Sequence, residues 1–161
     1  MKPSSLAGFP NKFSGANIFA RVCSELSNPD KPQLVIRVKL GTAPCDLAFG
    51  QEPTYIPVSA LVDTGASKTV VCSQLLAKLH AEKYSIIKMK TANGEVKRYL
   101  SYVSLALLDD DKVEFANFEE LEVVEIPDIE NEHCRMLVGM DVLGTFSSVK
   151  IAGFQMEFSA E

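Results

Sequence analysis

The chain has 161 residues, 47% of them hydrophobic and 23% charged, with a formal net charge of −5. That length and apolar content suit one globular domain with a real core rather than two, and the basic residues are scattered, which argues against neutralising a phosphate backbone and so against a nucleic-acid partner. No apolar run approaches the roughly 18 residues of a membrane span, and the opening MKPSSLAGFPNKFSG lacks the apolar centre of a signal peptide. The expectation is a soluble cytoplasmic protein with no membrane contact.

The Pro, Ser and Gly content of residues 1–16 predicts a flexible leader ahead of a domain over 17–161. The stretch NIFARVCSEL (17–26) alternates in part, and after the turn-rich SNPDKP comes QLVIRVKLG (33–41), where Leu34, Ile36, Val38 and Leu40 share one face of a strand. A long connection, residues 42–54, leads to YIPVSALVD (55–63); the continuous apolar runs SALVD and KTVVC suit strands covered on both sides. Ser73 is positioned to cap a short helix over QLLAKLHAE, with Leu75, Leu76 and Leu79 on its inner face and Gln74, Lys78 and Glu82 in water.

Downstream, SIIKMKTANGEVKRYLSYVSLALLD (85–109) carries Asn93-Gly94 between two strand-like arms, a strong hairpin signal. KVEFANFEELEVVEIP supplies one or two more strands, MLVGMDVLGTF a buried strand entering a short helix, and SSVKIAGFQMEFS a closing hairpin around Ala152-Gly153. The acidic runs DDDK and FEELEVVE read as solvated faces. The four cysteines, Cys23, Cys45, Cys72 and Cys134, are far apart without a CxxC pair, and His80 and His133 are the other soft ligands. They read as free buried thiols of a reducing compartment rather than a metal site. The fold class is mostly β.

Asp63 leaves the apolar strand Ala60, Leu61, Val62, and Thr64-Gly65 turns the chain at once. A carboxylate there is partly desolvated, which raises its pKa unless donors such as backbone N–H groups surround it. Gly65 permits a close backbone approach, and the Thr64 hydroxyl can tie neighbouring backbone together.

The ordered set ALVDTGAS with KTVV after it, then TANGEVKRY, then LVGMDVLG resembles the retroviral-type (retropepsin-like) aspartic proteases, in particular their single-domain cellular and bacterial members, over roughly residues 33–158. The resemblance implies a small closed β-barrel-like fold with one or two short helices and a flap hairpin. It implies an aspartic endopeptidase that needs no metal or organic cofactor. By that likeness Asp63 is the catalytic acid, Thr64 grips the matching loop of a partner subunit, and Gly65 shapes the loop. Leu137, Val138 and Gly139 pack beneath it. Ala66 and Ser67 line the substrate groove, and Thr91, Ala92, Asn93 and Gly94 form the tip of a flap over residues 91–98. Asp141 is the other possible second carboxylate in the chain, and the resemblance favours a structural role for it.

Hydrolysis of this kind uses two carboxylates that share a proton, one acting as base on a water and the other donating to the carbonyl oxygen. The chain carries one Asp-Thr-Gly, so the implied active form is a homodimer with one Asp63 from each subunit across a two-fold axis. Two unit charges about 3 Å apart repel by roughly 5 kcal/mol at an effective dielectric of about 20, or about four pKa units, so one acid stays protonated over a broad range. Ala66 stands where relatives commonly carry a hydroxyl donor that favours the charged acid, so the expected working range is weakly acidic to neutral. The expected substrate is an extended protein or peptide segment, cleaved in limited processing. Three alternatives stand beside this reading: a loop aspartate bonded to its own turn, thiol chemistry from His133 and Cys134, and an inactive dimer of the same fold acting as a binding or assembly module.

Overall fold

In β2 (Val35–Thr42) the side chains of Ile36, Val38 and Leu40 are fully buried while Val35, Arg37 and Lys39 are half-exposed, the period-two alternation that turns one face of a strand inward. Burying each of those apolar side chains contributes on the order of 1.5–3 kcal/mol. The computed structural model describes residues 20–23, 34–127, 135–152 and 155–159. The described strands are β1 (Ala20–Cys23), β2, β3 (Tyr55–Val62), β4 (Val70–Cys72), β5 (Ser85–Thr91), β6 (Gly94–Leu108), β7 (Glu114–Ile126), β8 (Met136–Val138), β9 (Ser148–Ala152) and β10 (Gln155–Ser159). Among the described residues two short helices join them, α1 (Ser73–Lys78) and α2 (Met140–Leu143), with one 3-10 turn at Pro44–Asp46.

The pairing order β2-β3-β8-β4-β7-β6, together with a β2–β6 pairing, closes six strands into a barrel, and β5 hangs from the free side of β6. The closed β-rich fold expected from the sequence is therefore observed. Long strands β6 and β7 run antiparallel with breaks in register between Val103 and Leu105 and between Leu107 and Leu108; such irregularities bend a strand around a barrel. A second sheet, β1-β10-β9, packs on the barrel through Met156 and Phe158. There Phe158 lies 5.0 Å from Phe115 and 5.1 Å from Phe146, ring centre to ring centre. No helix among the described residues is long and apolar enough to cross a membrane.

Several local expectations need correction. Ser73 does not cap α1: Cys72 holds the cap position without a side-chain bond, and the Ser73 hydroxyl donates instead to the carbonyl of Ile126 at 3.0 Å. The helix also stops at Lys78, short of the expected end, because His80 takes a left-handed φ of 54°. The His80 and Ala81 amides then bond back to Ala77 and Leu76, closing the helix as a Schellman motif without glycine. The expected inner face, Leu75, Leu76 and Leu79, is buried.

The hairpin turn falls one residue early. Thr91 pairs with Gly94, so the two-residue loop is Ala92-Asn93 and Gly94 closes it at a φ of +113°. Asn93 stays at negative φ, which excludes a primed turn centred on Asn93-Gly94. FEELEVVE is a solvated face only in part: Glu119 and Glu120 are exposed, whereas Leu121, Val123 and Val124 are buried and Glu125 is 8% exposed. Of the cysteines, Cys72 is buried but Cys45 is exposed, both free. The 42–54 connection is cinched at its base, where Thr54 donates its amide to the Thr42 hydroxyl at 3.0 Å. The leader (1–16), the flanks of the 17–26 segment and His133-Cys134 lie outside the described residues, as does the tip of the closing hairpin, whose arms β9 and β10 pair as expected.

Candidate active site

Strands β3 and β8 run parallel, Leu61 beside Leu137 and Val62 beside Val138, and β8 pairs antiparallel with β4 on its other side. The segment from Asp63 to Thr69 therefore leaves β3, crosses in front of β8 and returns as β4. Asp63 enters that crossing with its amide donating to the Val138 carbonyl at 3.0 Å. The chain then turns at Thr64-Gly65, and the Gly65 amide donates to Asp63 Oδ1 at 2.9 Å. The other oxygen, Oδ2, has no partner among the described residues. Asp63 is half-buried, while Thr64 and Gly65 are exposed at the apex.

The crossing is held from below. A Cβ on Gly139 would sit 2.7 Å from the Lys68 carbonyl group and 2.9 Å from the Ala66 oxygen, so a side chain there would collide with backbone. The Met140 amide donates to the Ala66 carbonyl at 2.8 Å. Thr69, fully buried, donates its amide and its hydroxyl to the two oxygens of Asp141 at 3.0 and 2.8 Å, and its hydroxyl accepts the Gly139 amide at 3.2 Å. Asp141 also accepts the amide of Val142 at 2.9 Å. Its carboxylate is committed to joining α2 to the loop, which is the structural role expected for it.

The geometry thus gathers Asp63, Thr64, Gly65, Ala66, Leu137 and Gly139 into one unit. Ser67 is exposed on the same loop. Thr91, Ala92, Asn93 and Gly94 form the separate exposed tip of the β5–β6 hairpin, whose turn is tied by the Thr91 hydroxyl donating to the Gly94 carbonyl at 2.8 Å. Thr69 was not singled out from sequence, although a lone hydroxyl entering the apolar run TVVC was a signal that it needed a buried partner.

A further cluster also escaped the sequence reading. Lys68, on the loop, forms an ion pair with Oε1 of Glu122 on β7, and the Tyr84 hydroxyl donates to Oε2 of the same carboxylate. The Tyr84 ring stacks on Tyr102 with centroids 4.5 Å apart and planes 9° from parallel. The hydrogen bond from Lys68, then that from Tyr84, hold the Glu122 carboxyl below its usual range. Desolvation first, then donation to Glu122, push the Tyr84 phenol far above the ordinary tyrosine value. Among the described residues no group of three or more His, Cys, Asp or Glu side chains is arranged to hold a metal ion.

A closed barrel whose Asp-Thr-Gly loop crosses over the glycine of an LVG segment defines a retropepsin-like fold. Residues 55–145 match the family described as "gag-polyprotein putative aspartyl protease", and the chain belongs to that family. Among solved structures it is similar to a retropepsin-like aspartic protease from Rickettsia conorii, with 18% identity, a TM-score of 0.55, and coverage of 87% of this chain and 89% of that one. It is also similar to the EIAV protease complexed with the inhibitor HBY-793, with 18% identity, a TM-score of 0.47, and coverage of 78% and 97%. No curated protein matches the sequence.

Proposed function

We propose that the protein is an aspartic endopeptidase that hydrolyses peptide bonds through a dyad of two Asp63 residues, one from each subunit of a homodimer. The observation that carries this reading is the Asp63 loop itself. Its carboxylate is fixed by the Gly65 amide at 2.9 Å, and the backbone beneath is locked to β8 and α2. Asp141 is occupied by Thr69, so the second acid comes from a second copy. The exposed apex, Thr64 and Gly65, is free to meet its equivalent across a two-fold axis.

In that assembly the two carboxylates hold one proton between them. The ionised member takes a proton from a water as the water attacks the peptide carbonyl, and the protonated member donates to the carbonyl oxygen. Collapse of the tetrahedral species returns a proton to the leaving amine. The β5–β6 hairpin serves as the flap, with Thr91, Ala92, Asn93 and Gly94 at its tip and Ala66 and Ser67 lining the groove below, so that an extended peptide is held by main-chain hydrogen bonds. Ala66 offers no hydroxyl to the dyad, which sets the working range at weakly acidic to neutral pH. The exposed free thiol of Cys45 accords with a reducing, cytoplasmic setting.

The test is cleavage of a peptide library by the full chain and by Asp63→Asn over a range of protein concentrations. The proposal expects specific activity to fall on dilution, as assembly is lost, and to vanish in Asp63→Asn. A wild-type protein that cleaves nothing at any concentration would leave the dimeric binding or assembly module as the better reading.

A further inference from the structure

Glu122 is bound by two segments that the mechanism requires to act together. Lys68 belongs to the loop that carries Asp63, and its ammonium group pairs with one oxygen of the Glu122 carboxylate. Tyr84 stands immediately before β5, the first arm of the hairpin, and donates to the other oxygen. The Tyr84 amide donates to the Leu100 carbonyl on β6 at 3.0 Å, and its ring stacks on Tyr102 of the same strand, so the phenol is anchored to both arms at the hairpin root. Glu122 itself sits on β7, its side chain 27% exposed. Beneath it lies a cavity of about 80 Å³ lined by Lys68, Leu121, Glu122 and Asp141, which places the ion pair beside the carboxylate that anchors α2 to the loop.

An isolated surface ion pair contributes little. Here a single half-buried carboxylate accepts two donors, one cationic, and charge-assisted bonds of that kind are roughly twice as strong as neutral ones. Each donor also restricts the carboxylate rotamer that the other needs, which is the condition for non-additive behaviour.

We propose that Glu122 is a positioning residue whose carboxylate couples the root of the β5–β6 hairpin to the Asp63 loop, so that seating of the hairpin over a peptide and placement of the loop are set together. Its kinetic consequence rests on the proteolytic reading above; the coupling itself does not.

The experiment compares Lys68→Met, Tyr84→Phe, the double variant and Glu122→Gln with the wild-type chain. Amide hydrogen exchange is followed at residues 63–69 and 85–100, and steady-state kinetics on a cleaved peptide are followed beside it. Lys68 and Tyr84 are partly exposed, so these two variants keep the test open if Glu122→Gln fails to fold. Coupling predicts crossed effects: Lys68→Met speeds exchange at the hairpin root, and Tyr84→Phe speeds it in the loop, each by on the order of fivefold. The double variant exchanges no faster than the faster single variant, and kcat falls in all four with a smaller change in KM. Exchange that rises only in the segment carrying the substitution, with additive effects in the double variant, overturns the proposal. If wild-type cleavage is absent or independent of Asp63, the proteolytic reading fails, and the exchange pattern alone decides the coupling.

Discussion

Thr69 grips Asp141 at two points, its amide 3.0 Å from one carboxylate oxygen and its hydroxyl 2.8 Å from the other, and the same hydroxyl accepts the Gly139 amide at 3.2 Å. One fully buried side chain therefore joins the end of the Asp63 loop, the glycine beneath it and the start of α2. Thr69→Val preserves the shape and deletes the hydroxyl, leaving a buried amide without its acceptor. The expected loss is about 1–3 kcal/mol of stability, read by urea unfolding at one fixed protein concentration. A change within about 0.5 kcal/mol, the scatter of an ordinary surface substitution, would show that the hydroxyl is dispensable.

Gly139→Ala tests the same packing from below. The added methyl group meets the Lys68 carbonyl at 2.7 Å, and backbone cannot yield as the tip of a flexible side chain would. The loop must lift, carrying Asp63 away from its register with β8. On the proteolytic proposal Asp63 is the reacting group, and a displacement of about 1 Å there can cost on the order of a hundredfold in rate, so that proposal expects kcat/KM to fall by at least about that factor while the far-UV spectrum stays native. Near-wild-type turnover would mean that the loop is not held where this contact places it.

Most of the barrel was legible because its strands bury one face or both. The alternation of Ile36, Val38 and Leu40 and the runs SALV and TVVC report burial directly, and they became β2, β3 and β4. The order of Asp63, Gly94 and Gly139 along the chain was readable only through the resemblance carried by ALVDTGAS, TANGEVKRY and LVGMDVLG, not from the apolar pattern. What stayed hidden depends on long-range pairing. FEELEVVE has the composition of a wetted strand, and Glu119 and Glu120 are exposed, yet Glu122 meets Lys68 from a distant segment and Glu125 is buried with Lys83 3.5 Å from an oxygen that accepts no hydrogen bond. Asn93-Gly94 carries the strongest local turn signal, but the cross-strand register from Ser85 to Thr91 set the turn one residue earlier. His80 closes α1 where a glycine would have announced the end.

That shifted turn is open to test at the hairpin tip. Gly94 adopts a φ of +113° with open space around it, so an added side chain strains the backbone without colliding with anything. Gly94→Ala should destabilise the hairpin by about 1–3 kcal/mol, seen as faster amide exchange across β5 and the paired part of β6. Asn93→Ala should change exchange little, because Asn93 stays at negative φ. The reverse ranking would restore the turn to Asn93-Gly94.

Two carboxylates with opposite shifts give the acid limb of stability two separable parts. Glu122 is held below its ordinary value of 4.5, first by the bond from Lys68 and then by that from Tyr84. Its stabilising contribution is full above the unfolded-state pKa and is lost as pH falls through the lower folded value. Asp46 is raised above 3.8, first by desolvation, with the charges of Glu82 and Glu120 acting the same way against a bond from the Glu82 amide. Oδ2 of Asp46 is buried without a partner. Keeping Asp46 ionised in the fold is a cost that is present above its raised pKa and relieved as pH falls. Glu122→Gln should therefore lower stability at pH 7, and Asp46→Asn should raise it modestly. Both differences should shrink towards zero as each wild-type acid becomes protonated under strongly acidic conditions. Urea unfolding from neutral to strongly acidic pH checks both signs at once, and a Glu122→Gln deficit that persists undiminished in acid would show that its charge is not what holds Lys68 and Tyr84.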